Sequence, residues 1–379
     1  GRLAFAGDGY YFSRDDWRVD VDRLTASGIP YGPVPSASVS LSGAFSPSGA
    51  RLARLAYEDP YSSLDGAGTV SWDLDALSGS AELSLAGSAD EGAPAESYEI
   101  TGSYADGELT AEASAELVPL LRLGVETLRG AVSGSVAVAG SLDAPTIRVD
   151  ATLIDGKFNN DPVDLAARVE IDPAGVTVSD ASARYVRTRA RSLNGSLSLA
   201  DGTLALSGVL EQPSPENGPV AVSVEASGVF SDVAELADVV QSDFSGSVVL
   251  GGLPVRGDLP SEWRFDVSRA EGTTRASGGP EDAISLAIDA AGEFEASIGT
   301  PLPVRFDAVG FLEGGRFEAD LTRVWGDVAR LWTLVDSPGF AFSGGTATGS
   351  VRIVGPLNDP DFYGTLVAEQ VTAGVDVVP

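Results

Sequence analysis

The sequence predicts an all-β protein: an elongated, repetitive antiparallel sheet with a few short helices at the junctions between repeats. Three observations carry this. Apolar residues recur at every second position in short runs, which is the period of a half-buried strand. Turn-forming dipeptides separate those runs, and one Gly-Ser-Val motif returns three times, at Gly134, Gly246 and Gly349.

The hairpins are legible one by one. In "LSLADGTLAL", Leu197 and Leu199 share a face, Asp201-Gly202 makes the turn, and Leu204 and Leu206 return. "GSYADGELTAEA" turns at Asp106-Gly107, a pair suited to the positive backbone angles of a tight hairpin. "RVEIDPAGVTVS" sets Val169, Ile171, Val176 and Val178 on one face, and "AISLAIDAAGEFEASI" and "PVRFDAVGFLEGGRFEADL" read the same way. Three stretches break the alternation and are predicted as short helices: "ELVPLLRLGVETL" from Glu116, "DVAELADVV" from Asp232, and "DLTRVWGDVARLWTLV" from Asp320. In the last, Leu321, Val324, Val328, Leu331 and Leu334 recur at helical spacing.

Each predicted helix precedes one copy of the repeated motif. The copies share Gly-Ser-Val, then an aliphatic residue (Val138, Leu250, Ile353), then a second glycine (Gly140, Gly252, Gly355). The first and third also agree at Leu142 and Leu357 and at Pro145 and Pro360, whereas the middle copy departs after Gly252. Glycine within a strand marks a bend or close backbone approach, and proline cannot donate to a ladder. The motif is therefore expected to be a corner, ending one ladder and redirecting the chain into the next. Sub-repeats are expected at about 1–115, 116–231, 232–319 and 320–379, parts of one array. With strands about every dozen residues, roughly thirty strands at about 4.8 Å each would make a sheet of about 140 Å.

Composition excludes several functions. The 379 residues include 55 Asp and Glu against 24 Lys and Arg, a net charge of -31 spread along the chain. Nucleic acid is excluded as a partner and an anionic membrane surface is disfavoured, because both would be repelled. There is no His and no Cys, so Ser-His-Asp and Cys-His machinery, disulfides and thiolate or imidazole metal sites are impossible. The one lysine, Lys157, lacks the spacing of a phosphate-binding loop. Asn159, Asn160, Asp161 and Asp164 miss the calcium-loop pattern and read as turn chemistry. The one basic cluster, Arg184, Arg187, Arg189 and Arg191, reads as a solvated strand face balanced by nearby acids. There is no Met, and the chain opens at "GRLAF" and ends in the alternating "VDVVP", so an interior piece of a longer polypeptide is expected.

What remains is the apolar strand face. In a β-sandwich it would be closed core. In a sheet that curls lengthwise without closing, it would line a dry trough suited to acyl chains.

The stretch "ELVPLLRLGVETLRGAVSGSVAVAGSLDAPTIRVDATLIDGKF", with "VDLAARVEIDPAGVTVSDASARY" and "LNGSLSLADGTLALSGVL" after it, resembles the TamB-like branch of the AsmA-like proteins. "LVDSPGFAFSGGTATGSVRIVGPLNDPDFYGTLVAEQVTAG" repeats the resemblance, while residues 1–115 are similar only in strand texture. The resemblance implies an open β-groove (β-taco) with a hydrophobic interior and no catalytic residues. It also implies a bridge for phospholipids across the periplasm of a diderm bacterium, anchored to the inner membrane by a segment outside this chain. An Omp85-type outer-membrane partner would be reached through another segment outside it.

The expected groove lining is Val136, Val138, Leu153, Val169, Ile171, Val176, Val178, Leu197, Leu199, Leu204, Leu206, Val351 and Ile353. The expected corners are Gly134, Gly140, Pro145, Gly246, Gly252, Gly349, Gly355 and Pro360. No cofactor or metal is expected. The competing readings are a structural or adhesive surface protein of β-sandwich or β-solenoid repeats without lipid, and a carbohydrate-active enzyme resting on unplaced carboxylates.

Overall fold

A computed structural model describes residues 2–31, 34–61, 63–87, 95–123, 125, 128–158, 160–212, 220–231, 239, 242–254, 259–313, 316–332, 341–356 and 360–374. The chain is almost wholly antiparallel β, and it divides into two units, Gly1–Gly195 and Ser196–Pro379. Period-two alternation with short turns between runs leaves each strand no partner closer than the strands before and after it, and this is the pairing observed.

The first unit holds β1 (Arg2–Ser13), β2 (Asp16–Tyr31), β3 (Val34–Ser46), β4 (Gly49–Glu58), β5 (Ser63–Asp73) and β6 (Ser78–Gly87). It continues with β7 (Ser97–Ala105), β8 (Glu108–Pro119), β9 (Leu128–Ser141), β10 (Ala144–Phe158), β11 (Asp161–Asp172) and β12 (Gly175–Tyr185). From β1 to β12 each strand pairs antiparallel with the next. Among the described residues of this unit β1 pairs with β2 alone, so the ladder does not close into a barrel. β13 (Thr188–Ser198) spans the division between the units.

The second unit holds β14 (Thr203–Gln212), β15 (Val220–Phe230), β16 (Phe244–Gly251), β17 (Trp263–Ala270), β18 (Thr273–Gly278) and β19 (Ile284–Ile288). β20 (Glu293–Ile298), β21 (Val304–Glu313), β22 (Arg316–Asp327), β23 (Ala341–Pro356) and β24 (Asp361–Gly374) complete it. These too pair consecutively, from β14 to β24.

The predicted turns fall where the sequence puts them. Asp106 and Gly107 have φ of 54° and 85° and join Ala105 to its partner Glu108. At the β11–β12 turn the Asp172 carboxylate accepts the backbone N–H groups of Ala174 and Gly175 at 2.8 and 2.9 Å. Asp289 does the same for Ala291 and Glu293 between β19 and β20.

The helices are shorter than predicted. From Glu116 the chain stays in β8 through Pro119, and only Leu120–Leu123 forms a 3-10 helix. From Asp320 it stays in β22 through Asp327, so Leu321 and Val324 are strand residues; α1 is Val328–Trp332, begun by Asp327 accepting the Arg330 N–H at 3.0 Å. Pairing of Val118 and Pro119 with β9, and of β22 with β21 and β23, overrides a helical spacing only a few turns long. The stretch "DVAELADVV", apart from Val239, lies outside the described residues.

The repeated motif is not a corner between ladders. In the first copy it is a hairpin within one ladder: β9 ends at Ser141, the chain turns at Leu142 and Asp143, and Pro145 in β10 lies opposite Gly140. Pro145 precedes the first β10–β11 pair at Ile147, so its missing N–H costs no bond to β11. In the third copy Gly355 lies opposite Phe317 near the end of β23, and Pro360 stands just before β24. Gly252 follows β16 directly.

Gly134, Gly246 and Gly349 sit inside β9, β16 and β23, each paired on both sides. They admit a close backbone approach. A β-carbon on Gly134 would lie 2.0 Å from the Asp150 carbonyl oxygen, and one on Gly349 would lie 1.9 Å from that of Thr365. The Gly134→Val substitution is therefore expected to destabilise its unit by about 1–3 kcal/mol through overpacking. A lower urea midpoint together with faster hydrogen exchange in β9 and β10 would register it.

Candidate functional site: a continuous apolar face

Because pairing residues in a ladder point to the same side, the registers define rows of side chains across each unit. One row of the first unit runs Gly9, Val19, Phe45, Ala50, Val70, Ala81, Gly102, Ala111, Val138, Ile147, Ile171, Val176, one residue from each of twelve strands. Its neighbour ends Ile100, Ala113, Val136, Val149, Val169, Val178. Not one polar side chain interrupts either row. On the opposite face the corresponding row reads Arg51, Thr69, Glu82, Thr101, Glu112, Ala137, Arg148, Glu170, Thr177. Cross-strand ion pairs such as Arg148–Glu170 and Arg168–Asp150, both at 2.8 Å, lie on that exposed side.

The second unit repeats the pattern. Leu204, Gly228, Gly246, Val267, Ala276, Leu286, Ala296, Ala308, Leu321, Val351 and Gly364 form one row through eleven strands. Leu206 begins the row beside it, through Ala226 and Val248 to Phe265, and Ile353 pairs with Ala319 on the same face. The reverse face carries Ser227, Ser247, Asp266, Ser277, Ser285, Ser297 and Asp307 in register.

Eleven of the thirteen expected lining residues thus fall on these two apolar faces. Leu153 faces the same way as Val149, and Leu197 is buried in β13. Leu199 differs from expectation: β13 ends at Ser198 and Leu199 belongs to the turn.

The apolar faces are only partly covered. Small clusters are buried, Leu120 with Leu153 and Val163 in the first unit and Phe294 with Ala308 and Ala319 in the second. Elsewhere on each face apolar residues remain accessible: Val136 is 38% exposed, Leu206 46% and Leu286 41%. A closed sandwich would bury these positions, as two apolar sheet faces about 10 Å apart exclude water.

The first unit is curled. Leu120, in the 3-10 helix after β8, packs on Leu153 of β10 and Val163 of β11. Two residues later Arg122 pairs through Nε with Asp59, just after β4, at 3.0 Å, and also pairs with Glu96, just before β7. In a flat sheet β4 and β11 would stand about 34 Å apart, seven strand spacings. A four-residue 3-10 helix is about 8 Å long, so it can touch both only if the sheet bends round it.

That latch is a buried ionic cluster. Asp59, Glu96 and Arg122 have little or no exposed side-chain surface; Tyr57 donates to Asp59 at 3.0 Å, and Tyr98 donates to Glu96. The Arg122 guanidinium lies 5.4 Å from the Tyr57 ring centre. Burial, aided by the hydrogen bond to Asp59, pushes the Tyr57 hydroxyl up to about 12, and burial with the Glu96 hydrogen bond raises Tyr98 as well. Burial alone would lower Arg122, but Tyr98 and the carboxylates outweigh it and leave it raised. None of these residues stood out in the sequence, since Asp59, Glu96 and Arg122 are distant along the chain and resemble surface charges.

Among the described residues no group of three or more carboxylates is placed to hold a metal ion. Of the basic residues, Arg184 pairs with Asp164 on the outer face. Among the described residues no helix is long and apolar enough to cross a membrane. In comparisons with known proteins, no family model, curated protein or solved structure matches the chain.

Two outcomes follow for the latch. Arg122→Met leaves two buried carboxylates without their counter-charge and is expected to cost the first unit about 3–5 kcal/mol, measured by urea denaturation. Tyr57 has its pKa raised on folding, so its contribution is complete below pH 10, its unfolded value, and is lost as pH climbs towards about 12. Thermal melts across that window should fall in the parent protein and fall less steeply in Tyr57→Phe.

Proposed function

We propose that this chain is a segment of a lipid-transfer bridge, conducting phospholipid acyl chains along an open hydrophobic β-groove between the inner and outer membranes of a diderm bacterium. The observation that carries the reading is the uninterrupted apolar face, accessible rather than sealed, in each unit. Acyl chains gain roughly 0.8 kcal/mol per buried CH2 and need no reactive group to travel along such a surface. Along the rows, apolar side chains and glycines present no polar group that would hold a passing chain by its ends. The resemblance of the Gly-Ser-Val repeats to TamB-like proteins supports the periplasmic setting, and with it an Omp85-type partner engaged by a segment outside this chain. On this reading the chain is not an enzyme, and it supports outer-membrane biogenesis by supplying lipid.

Native mass spectrometry of the purified chain should reveal bound phospholipid. A photo-crosslinking residue at Val169 should capture lipid in cells, while one at its neighbour Glu170, on the opposite face, should not. Protein free of lipid, or equal capture at both positions, would return the chain to a structural or adhesive role. Val178→Asp should abolish capture at Val169 and lower the thermal midpoint only slightly, because the half-buried carboxylate reaches water along the open side; in a sealed core it would unfold the unit.

A further inference from the structure

The tight-turn edge of the first unit carries a feature that the general groove does not require. Between β5 and β8 the apolar face holds an open-sided cavity of about 610 Å³, lined by Val70, Trp72, Ile100, Tyr104 and Leu109 and by Leu77 of the β5–β6 turn. That volume lies within the range of small-molecule sites, about 300–1,000 Å³. Leu77 is 71% exposed and has a φ of 49°, a left-handed conformation that glycine or asparagine adopts at less cost. In this conformation the Leu77 side chain forms part of the wall of the apolar cavity.

The lining limits what the cavity can take. β5 to β8 are each paired on both sides, so their backbone donors and acceptors are spent in the ladders. A peptide placed there would leave its own N–H and C=O groups without partners, whereas a hydrocarbon chain has none to satisfy. The turns around the mouth carry Asp73, Asp75, Asp106 and Glu108, with Arg14 paired to Asp75 at 3.0 Å. The residual charge there is negative and disfavours an anionic head.

We propose that the cavity under Leu77 is a lateral binding site for one hydrocarbon chain of an amphiphile whose head carries no net negative charge. This rests on the groove reading above and adds to it a fixed place where a chain enters and a head-group preference. Tryptophan fluorescence tests it, since Trp72 lines the cavity and Trp263 lies on the apolar face of the other unit. A brominated alkyl trimethylammonium should quench saturably. Trp72→Phe should remove most of the saturable quench and Trp263→Phe little of it, and a brominated fatty acid of the same chain length should bind several-fold more weakly. Leu77→Gly relieves the backbone and keeps or raises the thermal midpoint, yet should weaken binding by about fivefold through lost apolar cover. Quenching that survives Trp72→Phe but not Trp263→Phe would overturn the site while leaving the wider groove reading in place. Quenching of neither tryptophan would overturn both. Fatty-acid binding as tight as that of the ammonium amphiphile, or unchanged affinity in Leu77→Gly, would also overturn the proposal.

Discussion

Everything in this structure depends on the antiparallel ladder and its period of two. Each interior strand spends its backbone hydrogen bonds on the strands immediately before and after it, so the chain advances as a meander with little need of distant contacts. Once register is fixed, the alternation of the sequence is turned into two surfaces of opposite character. The backbone carries the fold, and that frees the apolar side chains from having to seal a core.

The consequence is an unusual distribution of burial. Clusters around Leu120 and Phe294 are buried, yet residues such as Val136 and Leu286 between the strand ends stay partly open. In the first unit, bending is what covers the face. Glycines on the apolar faces, Gly134 in the first unit and Gly349 in the second, let neighbouring backbone come closer than any side chain would allow. At one edge of the first unit, the 3-10 helix and Arg122 hold strands from β4 to β11 around a common centre. A buried ion cluster is an expensive way to make such a contact, but it fixes one geometry where a greasy contact would slide.

The two edges of the first unit are chemically different. One carries mostly two-residue turns and the apolar cavity under Leu77; the other carries the 3-10 helix and the ionic latch. On the proposed reading, an amphiphile would load from the accessible edge with its head in water and its chain on the apolar face.

By itself the sequence determined the strands, most of their turns and which side chains share a face, because period-two patterning and Asp-Gly or Asp-stabilised turns are local. The alternation of Val136, Val138, Val169, Ile171, Val176 and Val178 groups them on one face, and they do fall in two adjoining rows. Two of the helical spacings misled, since Leu321 and Val324 answer to their partners in β21 and β23 rather than to their own periodicity. The Gly-Ser-Val motif was recognisable as a repeat but not as a mid-strand close approach, which only a neighbouring carbonyl could define. The tertiary structure alone decided the curl, the latch and the cavity. Asp59, Glu96 and Arg122 meet because a sheet bends, and Trp72 joins Tyr104 and Leu109 because register sets them in one row; neither fact is written in any local stretch of the chain.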